Sequence, residues 1–364
     1  MRPWERDLAL LITLPEGRPV LEAAIVEYVK DPVEYKPVKV VRDFLASLLS
    51  TRPDLLLRVG GEDVKMIRHE LLMTASTLIP FFGCGKVVIR PDLQLSRRLM
   101  ETALPVPSKL VYPPFNCVYI DLAELNIQSL SDADEALPKR LYGAYVWRSE
   151  KAWEDRSGEY FEASEGEELK YKTPTLRVKF VLEGPVELRN QNHDGTLEPF
   201  SYLAMPWLSQ DDQLIEDGIT GLWSFCQPNC QEMAKESVPW MRLCLGLFLY
   251  MSHPDLQKNV VPKMHHNHDR MMRDLRKGVI GDDMRGLING KAGSVIKVKY
   301  GKSDHSGGSG GTGISPLAHW RRGHWHLYWT GPGKTIPRAN WLEPILVNPE
   351  KMVGETKPKV YEVS

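Results

Sequence analysis

The sequence predicts an α+β protein with a helical N-terminal part, a central β-sheet with a buried helix, and a β-rich C-terminal unit. Three patterns predict this class. Apolar residues recur at intervals of three and four near the N-terminus, short β-branched and aromatic runs begin near residue 117, and Trp240 to Tyr250 is apolar on every face. The predicted domains are a helical region at 1–110, a central α+β region at 111–278 and the β-rich unit at 279–364.

Helices are expected over much of the first hundred residues. The segment Pro19 to Val29 has a proline at its start and apolar residues on one face, and Asp31-Pro32 provides the stop. A similar spacing recurs in Val38 to Leu49 and again in Gln94 to Leu104. These segments predict three N-terminal helices.

Four strands are predicted further along the chain, over Cys117 to Leu122, Leu141 to Trp147, Leu176 to Leu182 and Ser294 to Tyr300. The apolar helix Trp240 to Tyr250 lies between the third and the fourth, and His253-Pro254 ends it.

Two intervening segments are predicted to be loops. Glu150 to Glu168 is rich in acidic residues and glycine, which is typical of a solvated loop. Ser303 to Gly313 has too little side chain to pack, so we expect a mobile loop there.

Composition excludes several classes of protein. With 364 residues, 42% of them hydrophobic and 26% charged, the chain is typical of a folded globular protein. No apolar run reaches the roughly 18 residues of a membrane span, and the N-terminal residues do not resemble a cleavable signal peptide. We therefore expect a cytoplasmic protein that makes no membrane contact.

The five cysteines are odd in number and scattered, so they do not predict a disulfide framework. Cys226 and Cys230 have the wrong spacing for a zinc knuckle and lack a second pair, and we interpret them as ordinary thiols.

Positive charge is concentrated towards the C-terminus. From Gly286 onward there are 11 Lys and Arg against 5 Asp and Glu, which is a net charge of +6. Because the whole chain has a net charge of −1, the residues before Gly286 have a net charge of −7. A solvated surface explains such an excess, and contact with a nucleic acid is the alternative.

The densest motif is the segment His319 to Gly333. As a strand from His324 onward, it places alternate side chains on opposite faces. Trp325, Leu327 and Trp329 form the expected core face. Gly331-Pro332-Gly333 is predicted to turn the chain, and Trp341 to Val347 to return as the partner strand.

The opposite face of this strand is polar and lies beside two arginines. We predict that it contacts RNA or a protein partner. Proton exchange between two histidines, with Arg321 or Arg322 holding a phosphate, would instead give a metal-free ribonuclease. A metal site at His319, His324 and His326, and a hydrogen-bonding wall of a peptide pocket, are further alternatives. The predicted contact residues are Arg321, Arg322, His324, His326 and Tyr328, and the candidate catalytic residues are His324 and His326.

A second histidine cluster, His265 to Asp269, suggests a metal site at first sight. We interpret it as a solvated segment in which an Asn or Asp caps a helix from Arg270 to Lys277. No bound metal and no cofactor are therefore predicted. Because a glycine-rich phosphate loop, a serine elbow and an HExxH motif are all missing from the sequence, no enzyme class is predicted either.

The motif from His319 to Trp329, followed by Trp341 to Asn348, resembles the C-terminal signature of the second-described family of type V-A anti-CRISPR proteins. That signature reads close to H-x-R-R-G-H-W-H-x-Y-W and ends in W-x-x-x-x-x-V-N. Weaker likeness extends to Asn116 to Leu122 and to Trp240 to Tyr250 with its His-Pro-Asp-Leu exit.

The resemblance implies an anti-CRISPR protein of a mobile element, such as a phage or plasmid. It implies recognition of the N-terminal peptide of the type V-A effector nuclease as that peptide leaves the ribosome, followed by loss of the encoding mRNA. The implied partners are this nascent peptide, the translating ribosome with its mRNA, and host decay machinery. Such recognition requires a groove for an extended peptide, to which no residues are assigned.

Two other functions remain open from the sequence. One is an RNA-acting nuclease or toxin that uses the C-terminal histidines and arginines. The other is a protein-binding adaptor with a different target.

Overall fold

The fold is known from a computed structural model, which describes residues 17–32, 77–125, 127–128, 140–149, 175–183, 201–204, 208–209, 211–222, 231–300, 319–321, 324–342 and 345–347. Over these residues the chain has the predicted α+β architecture. The segments Val38 to Leu49, Glu150 to Glu168 and Ser303 to Gly313 lie outside this part of the chain, as do Cys226 and Cys230.

Seven α-helices occur among the described residues. They are α1 (Gly17–Lys30), α2 (77–83), α3 (Leu93–Met100), α4 (Ile215–Leu222), α5 (Gln231–Ser252), α6 (His268–Arg276) and α7 (Asp282–Ile288). Short 3-10 helices lie at Ser108–Leu110, Ala123–Leu125, Pro254–Asn259 and Pro332–Lys334.

Thirteen strands occur in the same residues. They are β1 (Val88–Pro91), β2 (Cys117–Asp121), β3 (Ile127–Gln128), β4 (Arg140–Ser149), β5 (Thr175–Glu183), β6 (Ser201–Ala204), β7 (Leu208–Ser209), β8 (Val260–Lys263), β9 (Val295–Val298), β10 (His319–Arg321), β11 (His324–Thr330), β12 (Ile336–Leu342) and β13 (Ile345–Val347).

Nine of these strands form one mixed sheet in the order β6-β5-β4-β2-β1-β9-β8, with β3 beside β4 and β7 beside β5. Strand β1 is parallel to both of its neighbours: Val88 lies opposite Tyr119 of β2 and opposite Val295 of β9. The remaining pairs in the sheet are antiparallel. β1 thus pairs with a strand, β9, that follows it by about 200 residues in the chain.

Both faces of the sheet are buried, because alternate side chains enter two separate apolar cores. Ile89, Ile120 and Val146 enter the larger core with α3 and α5, whereas Val88 and Tyr119 enter the smaller core. Residues of α1, α2, α6 and α7 cover that second face. The sheet therefore lies between two layers of helices.

Helix α5 has the burial that the sequence predicts. Every residue from Trp240 to Tyr250 except Arg242 is buried or belongs to the larger core, and Trp240 packs edge-on against Phe180 at 5.5 Å between ring centroids. Arg242 reaches the surface and pairs with Glu216 of α4. Among the described residues, no helix is both long enough and apolar enough to cross a membrane.

The strands predicted at 117, 141, 176 and 294 are all confirmed, and so is the first helix. The prediction Gln94 to Leu104 is correct for α3, which ends at Met100 instead. The predicted division at residues 110 and 278 remains a prediction; the structure places β9, from the third region, directly beside β1, from the first.

Three of the cysteines, Cys84, Cys117 and Cys244, are buried and not joined in disulfides. Burial raises the pKa of the Cys84 thiol to about 11, and it also raises the pKa of Cys117 and of Cys244. These side chains are therefore neutral at physiological pH and serve as small apolar residues of the cores.

Glycine is required at position 143 of β4, where β4 pairs with β2. The pairing of β4 with β5 is irregular at the same point. A Cβ at this position would lie 2.3 Å from the backbone oxygen of Ile120 and 2.4 Å from the Tyr119 hydroxyl. Backbone in the centre of a sheet cannot move away cheaply, so a side chain does not fit here.

We expect Gly143→Ala to lower the free energy of unfolding by about 3 kcal/mol, because the added methyl overpacks the sheet. Chemical denaturation followed by circular dichroism measures this. Gly281→Ala is the matched control, since its Cβ would lie 3.9 Å from the nearest atom, and its cost should stay below about 1 kcal/mol. Equal losses in the two variants would contradict the steric argument.

Candidate functional site

The motif found in the sequence forms a β-hairpin. Strands β11 and β12 pair antiparallel, with His326 opposite Asn340 and Tyr328 opposite Arg338. A separate two-stranded sheet flanks the hairpin in the chain, where β10 pairs antiparallel with β13. The predicted return of the chain at Trp341 to Val347 is confirmed, although β12 begins earlier, at Ile336.

Two tryptophans fix the base of the hairpin to the larger core. Trp325 and Trp341 lie directly opposite each other, each with 2% of its surface exposed, and their rings meet edge to face at 5.3 Å. Leu327 and Ala339, the next pair on this face, are partly buried against the same core. The predicted core face is therefore correct at Trp325 and partly correct at Leu327.

The core face prediction is wrong at Trp329, which is 54% exposed. The hairpin is longer than the core beneath it, so its outer half extends beyond the body of the protein. Tyr328 (40% exposed) and Ile336 (57% exposed) lie in the same outer half. We call the exposed side chains of Tyr328, Trp329, Ile336 and Arg338 the hairpin tip.

A side-chain hydrogen bond adds a second attachment. The Nε2 atom of His253, which is buried at the end of α5, hydrogen-bonds the Oδ1 atom of Asn340. The turn is fixed by its backbone: Gly331 has a φ of 80°, and the Thr330 hydroxyl donates to the Ile336 carbonyl at 3.1 Å. The exposed hairpin is thus presented on a rigid base.

The predicted polar face is present on β11. His326 and Tyr328 are exposed and their rings contact each other at 4.4 Å, while His324 is half-buried. The backbone of Arg321 lies in β10, and Arg322 is outside the described residues. The structure therefore brings His326 and Tyr328 together, and the roles of all five residues remain predictions.

The described hairpin residues carry one sign of charge. Arg321, Lys334 and Arg338 are basic, and these ranges contain no Asp or Glu. Exposed aromatic rings together with basic side chains suit a single-stranded nucleic acid, since bases stack on the rings and phosphates pair with the cations.

Sequence reasoning missed three participants in this site. Arg338 and Asn340 could have been found by extending the return strand back to the glycine turn, because they then lie opposite Tyr328 and His326. The sequence predicts only that His253 ends a helix. No local pattern links it to Asn340, which lies 87 positions later.

The second histidine segment also differs from its prediction. Helix α6 begins at His268, and Asn267 occupies the N-cap position as expected. Its side chain makes no capping hydrogen bond, however, and its Nδ2 atom donates to Asp283 at 2.9 Å instead. His268 packs against Phe115, and burial lowers the pKa of its imidazole.

Comparison with known proteins identifies the chain. Residues 89–349 match the model of the anti-CRISPR type V subtype A2 family, described as AcrVA2-like, and this region includes the central sheet, α5 and the hairpin. The protein is thus an anti-CRISPR protein directed against type V-A systems. More particularly, the chain belongs to the AcrVA2-like family.

Other comparisons add less. A crystal structure of AcrVA2 is similar to this chain with a TM-score of 0.48 and 14% sequence identity, and the alignment covers 94% of this chain and 98% of that one. No curated protein sequence matches the chain.

Proposed function

We propose that this protein suppresses expression of the type V-A effector nuclease by recognising the nuclease's nascent N-terminal peptide and causing loss of the encoding mRNA. Family membership supports the target, because the matched region is the greater part of the chain. It acts in the cytoplasm, where that peptide emerges from the ribosome.

The exposed hairpin tip supports the second part of the proposal, contact with the message. A nascent peptide is held by the same ribosome that holds its mRNA, so a protein that selects the peptide is brought close to that RNA. Trp329 and Tyr328 supply stacking surfaces on opposite faces of β11, and Arg338, which lies opposite Tyr328, supplies a cation beside that ring. The described hairpin residues contain no Asp or Glu, so no carboxylate among them opposes a phosphate.

A contact role suits the hairpin better than catalysis. Proton exchange between two histidines requires both rings to face one reacting group. His324 and His326 share a face of β11, but the His326 ring lies against Tyr328, while His324 is half-buried near the base. The message is then destroyed by host decay machinery that the protein recruits.

The proposal is tested by moving the N-terminal segment of a type V-A nuclease onto an unrelated reporter. With this protein present, reporter mRNA should fall, whereas a reporter with a scrambled segment should be unaffected. The isolated peptide should bind the purified protein with a Kd of about 1 μM or tighter. Equal silencing of both reporters would refute selection by the nascent peptide.

A further inference from the structure

Three side chains outside the hairpin converge in a way that suits a metal ion. His265 and His266 lie between β8 and α6, and Asp283 lies in the first turn of α7. One ligand atom from each is within 4.8 Å of the other two. Among the described residues, these three side chains are close enough together to bind one metal ion, and they offer two imidazoles and one carboxylate.

The backbone holds His265 in place. Its amide donates to the hydroxyl of buried Ser294 at 3.1 Å, and its carbonyl accepts from the His268 amide at 2.9 Å. His265 is half-buried, whereas His266 is exposed. The two ring centroids are 4.5 Å apart, and Nδ1 of His265 accepts from the Asn267 amide at 3.4 Å, so Nε2 is the His265 atom left for an ion.

The carboxylate is oriented by a neighbour. Asn267 Nδ2 donates to Asp283 Oδ2 at 2.9 Å, which leaves the other oxygen available. Such hydrogen bonds to ligand carboxylates are a regular feature of metal sites. This contact also explains why Asn267, at the N-cap of α6, does not cap its own helix.

The ordinary explanation for Asp283 is the helix dipole, which favours acidic residues in a first turn. Asp282 occupies that turn as well, and it approaches Arg285 at 3.7 Å rather than the histidines. The dipole thus accounts for an acidic residue in the turn, and the hydrogen bond from Asn267 accounts for the orientation of Asp283; neither requires the two imidazoles that lie beside it.

We propose that His265, His266 and Asp283 bind one divalent transition-metal ion, with zinc the best match. Imidazole nitrogens with a single carboxylate suit Zn²⁺ and its neighbours, whereas Mg²⁺ and Ca²⁺ prefer oxygen ligands throughout. Ligands at about 2.0–2.1 Å from a tetrahedral zinc lie roughly 3.3 Å apart, so a small closure of the observed cluster completes the site. The exposed side of the cluster leaves a fourth position for water.

The ion would link the segment before α6 to helix α7. The described cysteines form no disulfide that would make such a link. The ion would fix the segment after edge strand β8 to the start of α7, on the side of the sheet covered by α6 and α7. Binding should therefore raise the melting temperature, because it favours the folded chain.

The test uses full-length protein without a histidine tag, freed of metal and titrated with ZnCl₂ by calorimetry. One Zn²⁺ should bind per chain, and Mg²⁺ should not compete. His265→Ala and Asp283→Asn should each weaken binding at least about tenfold. Asp283→Asn keeps an oxygen that accepts from Asn267, so it decides the matter if His265→Ala fails to fold.

Two control variants test whether the ion lies at this cluster. Asp212→Asn removes an exposed carboxylate that pairs with Lys109, and His326→Ala removes a histidine of the hairpin; both should bind Zn²⁺ as the unaltered protein does. The proposal is overturned if the unaltered protein binds no Zn²⁺, if Asp283→Asn binds it equally well, if Mg²⁺ competes, or if His326→Ala is the variant that loses binding.

Discussion

Trp325→Ala is expected to lower the free energy of unfolding by about 3–5 kcal/mol, the usual cost of truncating a buried aromatic residue. Trp325 is 2% exposed and packs edge-on against Trp341, and both belong to the larger core. Its loss would leave a cavity in the larger core beneath the hairpin and loosen the attachment of the hairpin. Thermal and chemical denaturation measure the effect.

Trp329→Ala is the matched control, because it removes the same side chain from the same face of the same strand. Trp329 is 54% exposed, so its loss should change the free energy of unfolding by no more than about 0.5 kcal/mol. The loss of unfolding free energy in Trp325→Phe should lie between the losses in the two alanine variants. The buried Nε1 atom of Trp325 has no hydrogen-bond partner among the described residues, so phenylalanine removes no hydrogen bond there. Similar destabilisation by both alanine variants would mean that the hairpin tip is buried in solution.

The largest functional effect is expected from removing the hairpin tip. In a variant with Trp329→Ala and Arg338→Ala, both the melting temperature and the affinity for the nuclease peptide should be retained. Loss of the target mRNA should be abolished, because the protein can no longer hold the message. The three quantities are measured on the same variant, with Arg276→Ala as a control for removing an exposed cation elsewhere.

Salt dependence separates contact from catalysis at this site. If the tip binds RNA, affinity for a single-stranded RNA should fall with salt, and Arg338→Ala should reduce the slope of log K against log salt by about 0.7. If the hairpin is catalytic, His324→Ala should abolish mRNA loss while RNA binding keeps its salt dependence. Loss of peptide binding without unfolding would place the tip in the peptide groove instead and refute its role after recognition.

Much of the fold could be predicted because burial restricts which residues a segment contains. Strands such as Cys117–Asp121 and the all-apolar part of α5 are buried on every side, so they appear in the sequence as nearly continuous apolar runs. The family signature was equally local. It lies within one hairpin, so consecutive residues carried the whole pattern.

The errors have a common physical cause, which is that partners distant in sequence leave no local pattern. Alternation places Trp329 on the same face of β11 as Trp325, but the core does not extend beneath it, and the extent of the core depends on α5 and the sheet. Asn267 is at the predicted cap position, yet its side chain bonds to Asp283, a residue of another helix. The contact between His253 and Asn340 could not be predicted for the same reason.

The position of β1 has a consequence for how this protein is made. Val88 to Pro91 must pair with Val295 to Val298, and the buried Lys86 ammonium also donates to the carbonyls of Leu287 and Lys291. During synthesis at 5–20 residues per second, the ribosome adds the intervening 200 or so residues in about 10–40 s. Throughout that interval the growing chain has an open strand edge, which can pair with other chains. Newly made molecules of this inhibitor should therefore depend on chaperones until the ninth strand has emerged.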